Sequence, residues 1–568
     1  MSNEYEKEEN NSSLKIEEVD LNPDRNTFEN TLRIRYSKED INVNFEVITE
    51  NKILGWENKL FESKLPIHDL SNINDSDILN AEYKDIKIIR IIKGDIERTR
   101  VQESIYMNSF KDYIYQIIIY YLNANNITYK QGLNEIAGPF VLLKYKLKIS
   151  LASIYKLFVC FIDKFLTNYF HEIEFFSLKS TFSLINLLLR YHDPELFHKF
   201  EYSIIIPDLY ATSWIMTLFS NKCSLNVIYY LWDKLILFDD ILFPIFFIVS
   251  FIIKNRHQFF NVDSTIILSI LSQLEIKEID EVNEILNFAN EIRDKTPNSF
   301  YILSNNLEIF NYDSQNLQAL YEKYKPYKML ALPMFANDIF CITHKNIIGC
   351  PDEKCENFRN NKFNNISKCI FCKNKQFKKK IPFIIIDLRI FPDNILNNKN
   401  KNKIADKFPG FLPKTLRISK EDLNDERFPE NILNEYKNEK DNYHFIIITS
   451  ETNYFEEYEK EFYKDIEKRS SRKGVFFKKS REIDMKKVND KFKENDRGYI
   501  LLKEFDNFKK LIDGMNKEGF KYVSFVYGGY KQIHFYAKKY NIDLLEHGKE
   551  CFLCKEEQKE NSLFFKFW

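Results

Sequence analysis

The sequence predicts a multidomain fold: an all-helical N-terminal half, a short cysteine-rich segment and a C-terminal α/β domain. Three observations predict it. Between about Gly55 and Phe310, long apolar segments recur at helical spacing with few hairpin signals. Seven of the nine cysteines cluster within 341–372 and 551–554. From Phe383–Ile386 onward, strand-like runs alternate with helical stretches. At 568 residues the chain is also too long for one core.

The composition limits the kinds of partner that we expect. Lys and Arg total 82 against 83 for Asp and Glu, so no global field attracts nucleic acid, and we expect no nucleic-acid partner. Residues 1–45 are polar and lack the apolar core of a signal peptide, which predicts a largely disordered tail on a cytoplasmic protein. The apolar run 241–253 contains Pro244 and is too short to span a bilayer, so it predicts a buried helix. Only peripheral membrane association is expected.

The helical domain is predicted to span residues 46–312, followed by a linker at 313–340. Its clearest helix carries apolar side chains at 113, 114, 117, 118, 121 and 122, the spacing of one helical face. No repeat of fixed period is visible, which disfavours a solenoid.

Two motifs in this half carry polar residues of catalytic type. They are Ile92-x-x-Asp95-x-x-Arg98-Thr99 and Tyr129-x-Gln131-Gly132-Leu133-Asn134. Together they resemble the two signature motifs of TBC proteins, the GTPase-activating proteins of Rab GTPases. Later family motifs are matched in order by His192-Asp193-Pro194-Glu195-Leu196, Tyr210-Ala211-x-x-Trp214-x-x-x-Leu218-Phe219 and Leu231-Trp232-Asp233.

The resemblance implies that Arg98 and Gln131 act as a dual finger on a Rab GTPase. GTP hydrolysis spreads negative charge over the transferring phosphoryl group while water attacks in line. Arg supplies a permanently charged planar fork, and Gln can donate to one oxygen while accepting from the water. The GTP and Mg²⁺ belong to the partner GTPase. The sequence does not identify which Rab is the partner.

The neighbouring motif residues are expected to support the fingers. Asp95, three residues before Arg98, would share a helical face with it and orient the guanidinium. Gly132 would let the backbone pass closely, and Thr99, Tyr129 and Asn134 would complete the supporting set. Taken singly, Asp-x-x-Arg is an ordinary surface ion pair and Tyr-x-Gln-Gly an ordinary turn.

Four other motif residues are expected to be structural. His192 is expected to end a helix, with Asp193 as a cap of the next one. Trp214 and Trp232 are expected to pack in the core or at an interface.

The cysteine-rich segment, residues 341–380, predicts a structural zinc site. Cys350-x4-Cys355 and Cys369-x2-Cys372 supply four thiolates in two pairs, which suits tetrahedral zinc. Cys341-x2-His344 is an alternative to one pair. Cys551-x2-Cys554 either completes the site or binds nothing.

The C-terminal part resembles a rhodanese-like domain with insertions, spanning 381–555 and followed by a tail at 556–568. The landmarks are Ile386-Asp387-x-Arg389, Gly410-Phe411-Leu412-Pro413 and Tyr527-Gly528-Gly529-Tyr530. An active rhodanese has a Cys directly after a central strand. Here the strand 445–448 leads into Thr449-Ser450-Glu451-Thr452-Asn453. The resemblance therefore implies a domain inactive as a sulfurtransferase, in which Asp387 and Arg389 are structural.

A TBC domain followed by a rhodanese-like domain without its Cys resembles the TBC domain family member 23 type. That resemblance implies a trans-Golgi adaptor that captures vesicles through golgin tethers, and animal forms of this type lack the finger residues. This sequence keeps both fingers. Two hypotheses follow: a Rab GTPase-activating protein in vesicle trafficking, or a non-catalytic tethering adaptor at Golgi or endosomal membranes.

Overall fold

The computed structural model describes residues 48–61, 70, 72–101, 109–238, 240–311, 314–344, 349–358, 369, 372, 381–390, 409–425, 427–451, 497–548, 551 and 553–554. The predicted N-terminal tail at 1–45 and C-terminal tail at 556–568 lie outside these residues, as do Thr452 and Asn453.

The first part of the described chain is helical, as the apolar spacing predicts. The helices are α1 (Glu50–Phe61), α2 (Asp75–Leu79), α3 (Ile86–Ile96), α4 (Phe110–Asn125), α5 (Leu133–Leu147), α6 (Leu151–Phe165), α7 (Thr167–His171), α8 (Phe176–His192), α9 (Pro194–Tyr202), α10 (Pro207–Thr217), α11 (Leu225–Phe238), α12 (Phe243–Lys254), α13 (His257–Phe260), α14 (Ser264–Gln273), α15 (Ile279–Lys295) and α16 (Asn298–Asn306). A 3-10 turn, Ser220–Lys222, separates α10 from α11.

Aromatic side chains fill the centre of this helical domain. The ring of Trp232 stacks on Phe140 with centroids 5.4 Å apart and lies 4.6 Å from Phe161. The indole of Trp56 donates a 2.9 Å hydrogen bond to the buried carboxylate of Asp233. Trp214 packs against Phe251 and is also buried. The expectation that the two motif tryptophans serve packing is therefore confirmed.

The apolar run at 241–253 forms the buried helix α12, as predicted. Its Phe, Ile and Val side chains are buried almost all round, because other helices of the domain cover it. None of the described helices combines the length and apolarity that a bilayer-spanning segment needs.

The second part of the chain folds as an α/β unit. Its elements are α17 (Leu317–Tyr324), β1 (Leu332–Met334), α18 (Ala336–Thr343), β2 (Phe383–Asp387), β3 (Pro409–Phe411), β4 (Thr415–Arg417), α19 (Lys420–Asn424), α20 (Glu430–Glu435), β5 (His444–Ile448), α21 (Arg497–Lys517), β6 (Val523–Val526), α22 (Gly529–Tyr540) and β7 (Leu545–His547). Five strands form a parallel sheet in the order β1-β6-β5-β2-β4, and β3 pairs with β7 in a separate antiparallel ribbon.

The α/β unit begins earlier in the chain than the sequence predicts. The stretch 313–340, predicted as a linker, contains β1, whose residues Leu332 and Met334 pair with Ser524 and Val526 of β6. Ile339 and Phe340 of α18 then join the core of the unit. The sequence does not predict this strand, because it has only three residues with a proline in the middle. All three are buried, so the strand shows no alternation of apolar and polar side chains.

Buried hydrogen bonds connect the α/β unit to the helical domain. The carboxylate of Asp338, 1% exposed, accepts bonds from the N–H and the hydroxyl of Ser299 at 2.7 and 2.9 Å. The N–H of Tyr522 donates to the carbonyl of Tyr191 at 2.8 Å. The two domains thus share a polar, desolvated interface that holds their orientation.

The buried histidine of β5 is expected to make stability depend on pH. His444 bonds Ser524 through Nε2 at 2.8 Å, and burial lowers its pKa from 6.5 to about 3. The unfolded chain therefore binds a proton between these values that the folded chain excludes, so stability falls as pH is lowered through that window. His444→Gln, which keeps a bond to Ser524 but cannot ionise, should reduce this slope by up to about 1.4 kcal/mol per pH unit.

Hydrogen–deuterium exchange of β5, corrected for the intrinsic rate at each pH, measures the opening free energy. The exposed His257 provides the control, and His257→Gln should leave the slope unchanged. An unchanged slope in His444→Gln would contradict the assignment of a neutral buried imidazole.

Candidate functional site

The first motif forms the end of α3 and the turn that follows. The Asp85 side chain caps the start of the helix by accepting from Lys87 and Ile88. Asp95 lies in the last turn, whereas Arg98 follows the helix end and its N–H bonds the Asp95 carbonyl at 3.1 Å. The two residues therefore do not share one helical face, contrary to the sequence prediction. Their side chains nevertheless form an ion pair of 2.6 Å. The Arg98 side chain is 73% exposed and that of Asp95 is 7% exposed.

A buried hydrogen-bond network joins this turn to the second motif. The Tyr129 hydroxyl lies 3.0 Å from both Asp95 Oδ2 and Asn134 Oδ1. The Asn134 amide nitrogen donates to Thr99 Oγ1 at 2.8 Å, and Asn134 Oδ1 accepts from the Gly132 N–H at 3.1 Å. Thr99 Oγ1 in turn donates to the Asp95 carbonyl at 3.0 Å. All five predicted supporting residues thus belong to one network, named the finger network after the two predicted finger residues.

Burial determines the protonation state of Tyr129, which lies at the centre of this network. It raises the pKa of the Tyr129 hydroxyl far above its usual value of 10, and the Asp95 carboxylate raises it further. Tyr129 therefore stays protonated and can donate to Asp95. With Tyr129 on one oxygen and Arg98 on the other, both Asp95 oxygens have a donor.

Gly132 occupies a position that only glycine fits easily. Its φ is +114°, and a Cβ there would lie 3.3 Å from the carbonyl oxygen and 3.5 Å from the Cβ of Met216. This close approach to α10 sets the start of α5, for which Gly132 is the N-cap. Gln131, directly before it, is exposed. The glycine thus fixes the backbone that carries the predicted carboxamide finger.

A second set of contacts, missed by sequence reasoning, holds the finger turn against α5. Pro139 lies inside α5 and has no N–H for the carbonyl of Glu135. The hydroxyl of Ser220 donates to that carbonyl at 2.6 Å instead. The Ser220 carbonyl accepts from the guanidinium of Arg100 at 2.6 Å. The helix-breaking proline is the signal that could have indicated a compensating donor here.

Lys130, directly before Gln131, is held by contacts with a neighbouring part of the helical domain. Its ammonium donates to the carbonyls of Tyr169, at 3.0 Å, and Glu172, and it lies 4.0 Å from the centroid of the Phe175 ring. Burial lowers the pKa of Lys130 to about 8. The lysine thus anchors the loop to the connection between α7 and α8, a role that the motif pattern did not indicate.

The arrangement leaves the predicted finger side chains on the surface and their supports inside. Arg98 and Gln131 are both exposed, while Asp95, Thr99 and Asn134 are buried. The guanidinium and the carboxamide are exposed on two turns that buried hydrogen bonds hold together. They can therefore contact a second protein without unfolding of either turn.

His192 and Asp193 have the structural roles predicted for them. His192 ends α8, is buried, and lies 2.8 Å from Thr296 Oγ1, and burial lowers its pKa to about 3. Asp193 caps α9 by accepting from the Leu196 N–H and pairs with Arg256 at 2.8 Å. Neither residue contacts the finger network described above.

The four cysteines predicted to bind zinc lie together. The Sγ atoms of Cys350 and Cys369 are 3.7 Å apart, those of Cys355 and Cys372 are 3.5 Å apart, and all four lie within 4.8 Å of one another. Cys341 and His344, the predicted alternative, do not belong to this group of described residues, nor do Cys551 and Cys554. The cluster could hold a metal ion through four thiolates.

An internal carboxyl group, that of Glu504, lies beside the loop after β5. Glu504, 1% exposed, accepts from the N–H and the hydroxyl of Ser450 at 2.7 and 2.8 Å and from the Ile390 N–H at 2.8 Å. Burial raises the pKa of Glu504 to about 7. Glu504 thus binds one backbone donor of this loop, the Ser450 N–H, and one from the segment after β2, the Ile390 N–H.

Asp387 and Arg389 form a buried pair near the same edge of the sheet. Their side chains are each 3% exposed and bond at 2.6 Å, and Arg389 also donates to the Gly410 carbonyl at 3.0 Å. The guanidinium lies 3.6 Å from the centroid of the Tyr530 ring.

Comparison with known proteins identifies the class of the helical domain. Residues 55–260 match the family model described as the Rab-GTPase-TBC domain. This range contains both finger motifs and most of the helices that position them. The chain therefore contains a TBC domain.

Several curated relatives match parts of this chain. The TBC domain-containing protein kinase-like protein of Homo sapiens is 32% identical over 112 residues, which are 20% of this chain and 12% of that protein. Its Dictyostelium discoideum counterpart is 28% identical over 180 residues, 31% of this chain and 16% of that protein. Human TBC1 domain family member 14 is 25% identical over 148 residues, 26% and 21% of the two chains.

This chain thus covers between 12% and 21% of these relatives' own lengths. Among solved structures, the Ypt/Rab-GAP domain of Gyp1p is 17% identical and covers 42% of this chain and 79% of that one, with a TM-score of 0.33.

Substitution of Gly132 should destabilise the helical domain. Gly132→Ala places a Cβ in a left-handed backbone and against Met216, so we expect a loss of about 1–3 kcal/mol. The fluorescence of the buried Trp56, Trp214 and Trp232 reports unfolding of this domain.

Gly55→Ala is the matched control. Gly55 lies inside α1 and nothing lies within 4 Å of a Cβ there, so alanine should be neutral or stabilise by up to about 1 kcal/mol. Equal effects of the two substitutions would contradict the constraint assigned to Gly132.

Proposed function

We propose that this chain is a GTPase-activating protein for a Rab-family GTPase and that Arg98 and Gln131 complete the partner's active site. The observation that carries the proposal is the buried network. It connects the Asp95–Arg98 pair to Tyr129, Asn134 and the Gly132 backbone within the TBC domain. A network of this kind supports both finger turns at once.

In the proposed mechanism, the chain supplies charge and orientation while the partner supplies the GTP and Mg²⁺. The Arg98 guanidinium offsets negative charge that develops on the transferring phosphoryl group. The Gln131 carboxamide donates to a phosphate oxygen or accepts from the attacking water. Asp95 restricts the rotamers of Arg98, so that less conformational entropy is lost when the complex forms. Selection of the particular Rab depends on surface contacts around the fingers.

We also propose that Cys350, Cys355, Cys369 and Cys372 bind one structural zinc ion. The separations of 3.5 and 3.7 Å support this, because thiolates about 2.3 Å from a tetrahedral zinc lie about 3.8 Å apart. The segment packs on the α/β unit through an ion pair of Glu353 with Lys539. The ion would stabilise a segment that has little apolar core of its own.

A second candidate function is that of a tethering adaptor at Golgi or endosomal membranes. The α/β unit would then be a rhodanese-like domain of the TBC domain family member 23 type, with golgins among its partners. The observation that favours a binding role is the loop after β5, where Ser450 and Glu504 stand in place of a reactive thiol. Both functions can reside on one chain, because the fingers and this loop use separate residues.

The finger residues should be required for stimulated GTP hydrolysis. In single-turnover assays across a Rab panel, Arg98→Ala should lower the stimulated rate by about 10³–10⁵-fold. Gln131→Ala should lower it by about 10²–10³-fold, as for loss of one polar group in a transition-state site. Arg98→Lys should resemble Arg98→Ala, because an ammonium lacks the planar fork.

Arg90→Ala is the matched control, because Arg90 is an exposed arginine on α3, the helix that directly precedes the Arg98 turn. It should retain full stimulation. If Arg98→Ala retained full stimulation of a Rab that the wild type accelerates, the finger mechanism would be excluded. If no Rab were accelerated while tethering factors still bound, the adaptor function would be supported.

The four-cysteine cluster should account for one bound zinc ion per chain. Cys372→Ser should lower the zinc content by one ion, whereas Cys341→Ser should not change it, because Cys341 lies outside the cluster. Zinc released by a thiol reagent, measured with a chromogenic chelator, gives the count. A loss of zinc in Cys341→Ser would instead support the alternative Cys341 and His344 ligands.

A further inference from the structure

We propose that His534, His547, Cys551 and Cys554 bind a second structural zinc ion. Their ligand atoms all lie within 4.8 Å of one another, on residues that lie far from the finger network in the sequence. His534 is on α22, His547 ends β7, and the two cysteines follow that strand. The group is separate from the four-cysteine cluster and from the GTPase-activating site, and so does not depend on either.

The distances fit a tetrahedral site of two nitrogens and two sulfurs. The two histidine Nε2 atoms are 3.1 Å apart. His534 Nε2 is 3.4 Å from the Sγ of Cys551 and 3.3 Å from that of Cys554, and His547 Nε2 is 3.7 Å from Cys554 Sγ. Ligands at zinc bond lengths would be about 3.3 Å apart for two nitrogens and about 3.6 Å for nitrogen and sulfur.

Hydrogen bonding alone does not explain this convergence. An imidazole Nε2 carries either one hydrogen or one lone pair, so it can serve one good hydrogen-bond partner. His534 Nε2 faces three such atoms, on His547, Cys551 and Cys554. A cation at the centre of the group would satisfy all four ligand atoms together.

The chemistry of the ligands favours zinc. Two imidazoles and two thiolates in tetrahedral arrangement are typical of structural zinc sites, and four protein ligands leave no open position for catalysis. Two thiolates also cancel the charge of Zn²⁺. A neutral site suits these surroundings, because Cys551 is 0% exposed and Leu553 5% exposed, and both belong to the core of the α/β unit.

The ion would hold the cysteines that follow β7 to helix α22 and to the ribbon of β3 and β7. A Cβ added at Gly410 would lie 2.8 Å from the Tyr530 hydroxyl and 3.2 Å from His547 Cβ, so the site lies against β3. The Gly410 carbonyl also accepts the hydrogen bond from Arg389. Through these contacts the site connects β7, α22 and the buried Asp387–Arg389 pair.

The zinc content of the full chain tests the proposal. The wild type, loaded with Zn²⁺ under reducing conditions and freed of excess metal, should contain two zinc ions by elemental mass spectrometry. His547→Ala and Cys372→Ser should each contain one, and the double variant none. His547 is exposed, so its truncation removes a ligand without opening a core cavity. The exposed His257 provides the control, and His257→Ala should contain two ions.

Two results would overturn the proposal: two zinc ions in His547→Ala, or one ion in the wild type that is lost in Cys372→Ser. The second result would leave the cysteines of this group as thiols or as a disulfide. Failure of GTPase stimulation would not affect the count, so the two proposals fail separately.

A second variant keeps the test decisive if His547→Ala does not fold. His547→Cys preserves four ligands and should contain two ions. After cobalt replaces zinc, this variant should show stronger thiolate-to-cobalt charge-transfer absorption than the wild type, because three thiolates replace two. An unchanged spectrum would exclude His547 as a ligand.

Discussion

The buried carboxylate of Asp95 is the constraint on which the candidate site depends. It lies between Arg98, which is in solvent, and Tyr129, which is in the core, and it bonds both. A buried carboxyl group is tolerated only where its oxygens have such partners, so Asp95 depends on both of them. The same requirement joins two segments that are more than thirty residues apart. Removal of any one partner would leave another buried polar group unsatisfied, which is why the network behaves as one unit.

The α/β unit extends the TBC domain in a fixed orientation. Asp338 accepts bonds from Ser299 across the interface, and Tyr522 bonds the backbone of Tyr191, at the end of α8. These groups are buried, and their separation would expose unpaired donors and acceptors. A protein that binds the helical domain therefore meets the α/β unit at a defined position, unlike a module on a flexible linker. A partner that binds both units would therefore meet Arg98 and Gln131 at a fixed position relative to the sheet.

The parts of this structure that were predictable are those with local patterns. The sequence of α4 shows helical periodicity, that of α12 is a continuous apolar run, and the two polar motifs are recognisable by their spacing. By contrast, β1 is three residues long and acquires its identity only by pairing with β6. Arg100 and Lys130 bond backbone carbonyls, which have no sequence signature. The sequence shows the pair Cys551-x2-Cys554. The histidines beside it, His534 of α22 and His547 of β7, are brought to it only by the tertiary fold.

The loop after β5 is held by hydrogen bonds to the two helices beside it, α21 and α22. The N–H groups of Tyr530 and Lys531, at the start of α22, donate to the carbonyls of Thr449 and Ser450, so that this helix end binds the loop itself. The Ser450 N–H, a further donor of the loop, is taken by Glu504. Any other acceptor for this N–H would have to displace a side chain that is already buried and bonded. The Ser450 N–H is thus satisfied by a side chain of the α/β unit itself.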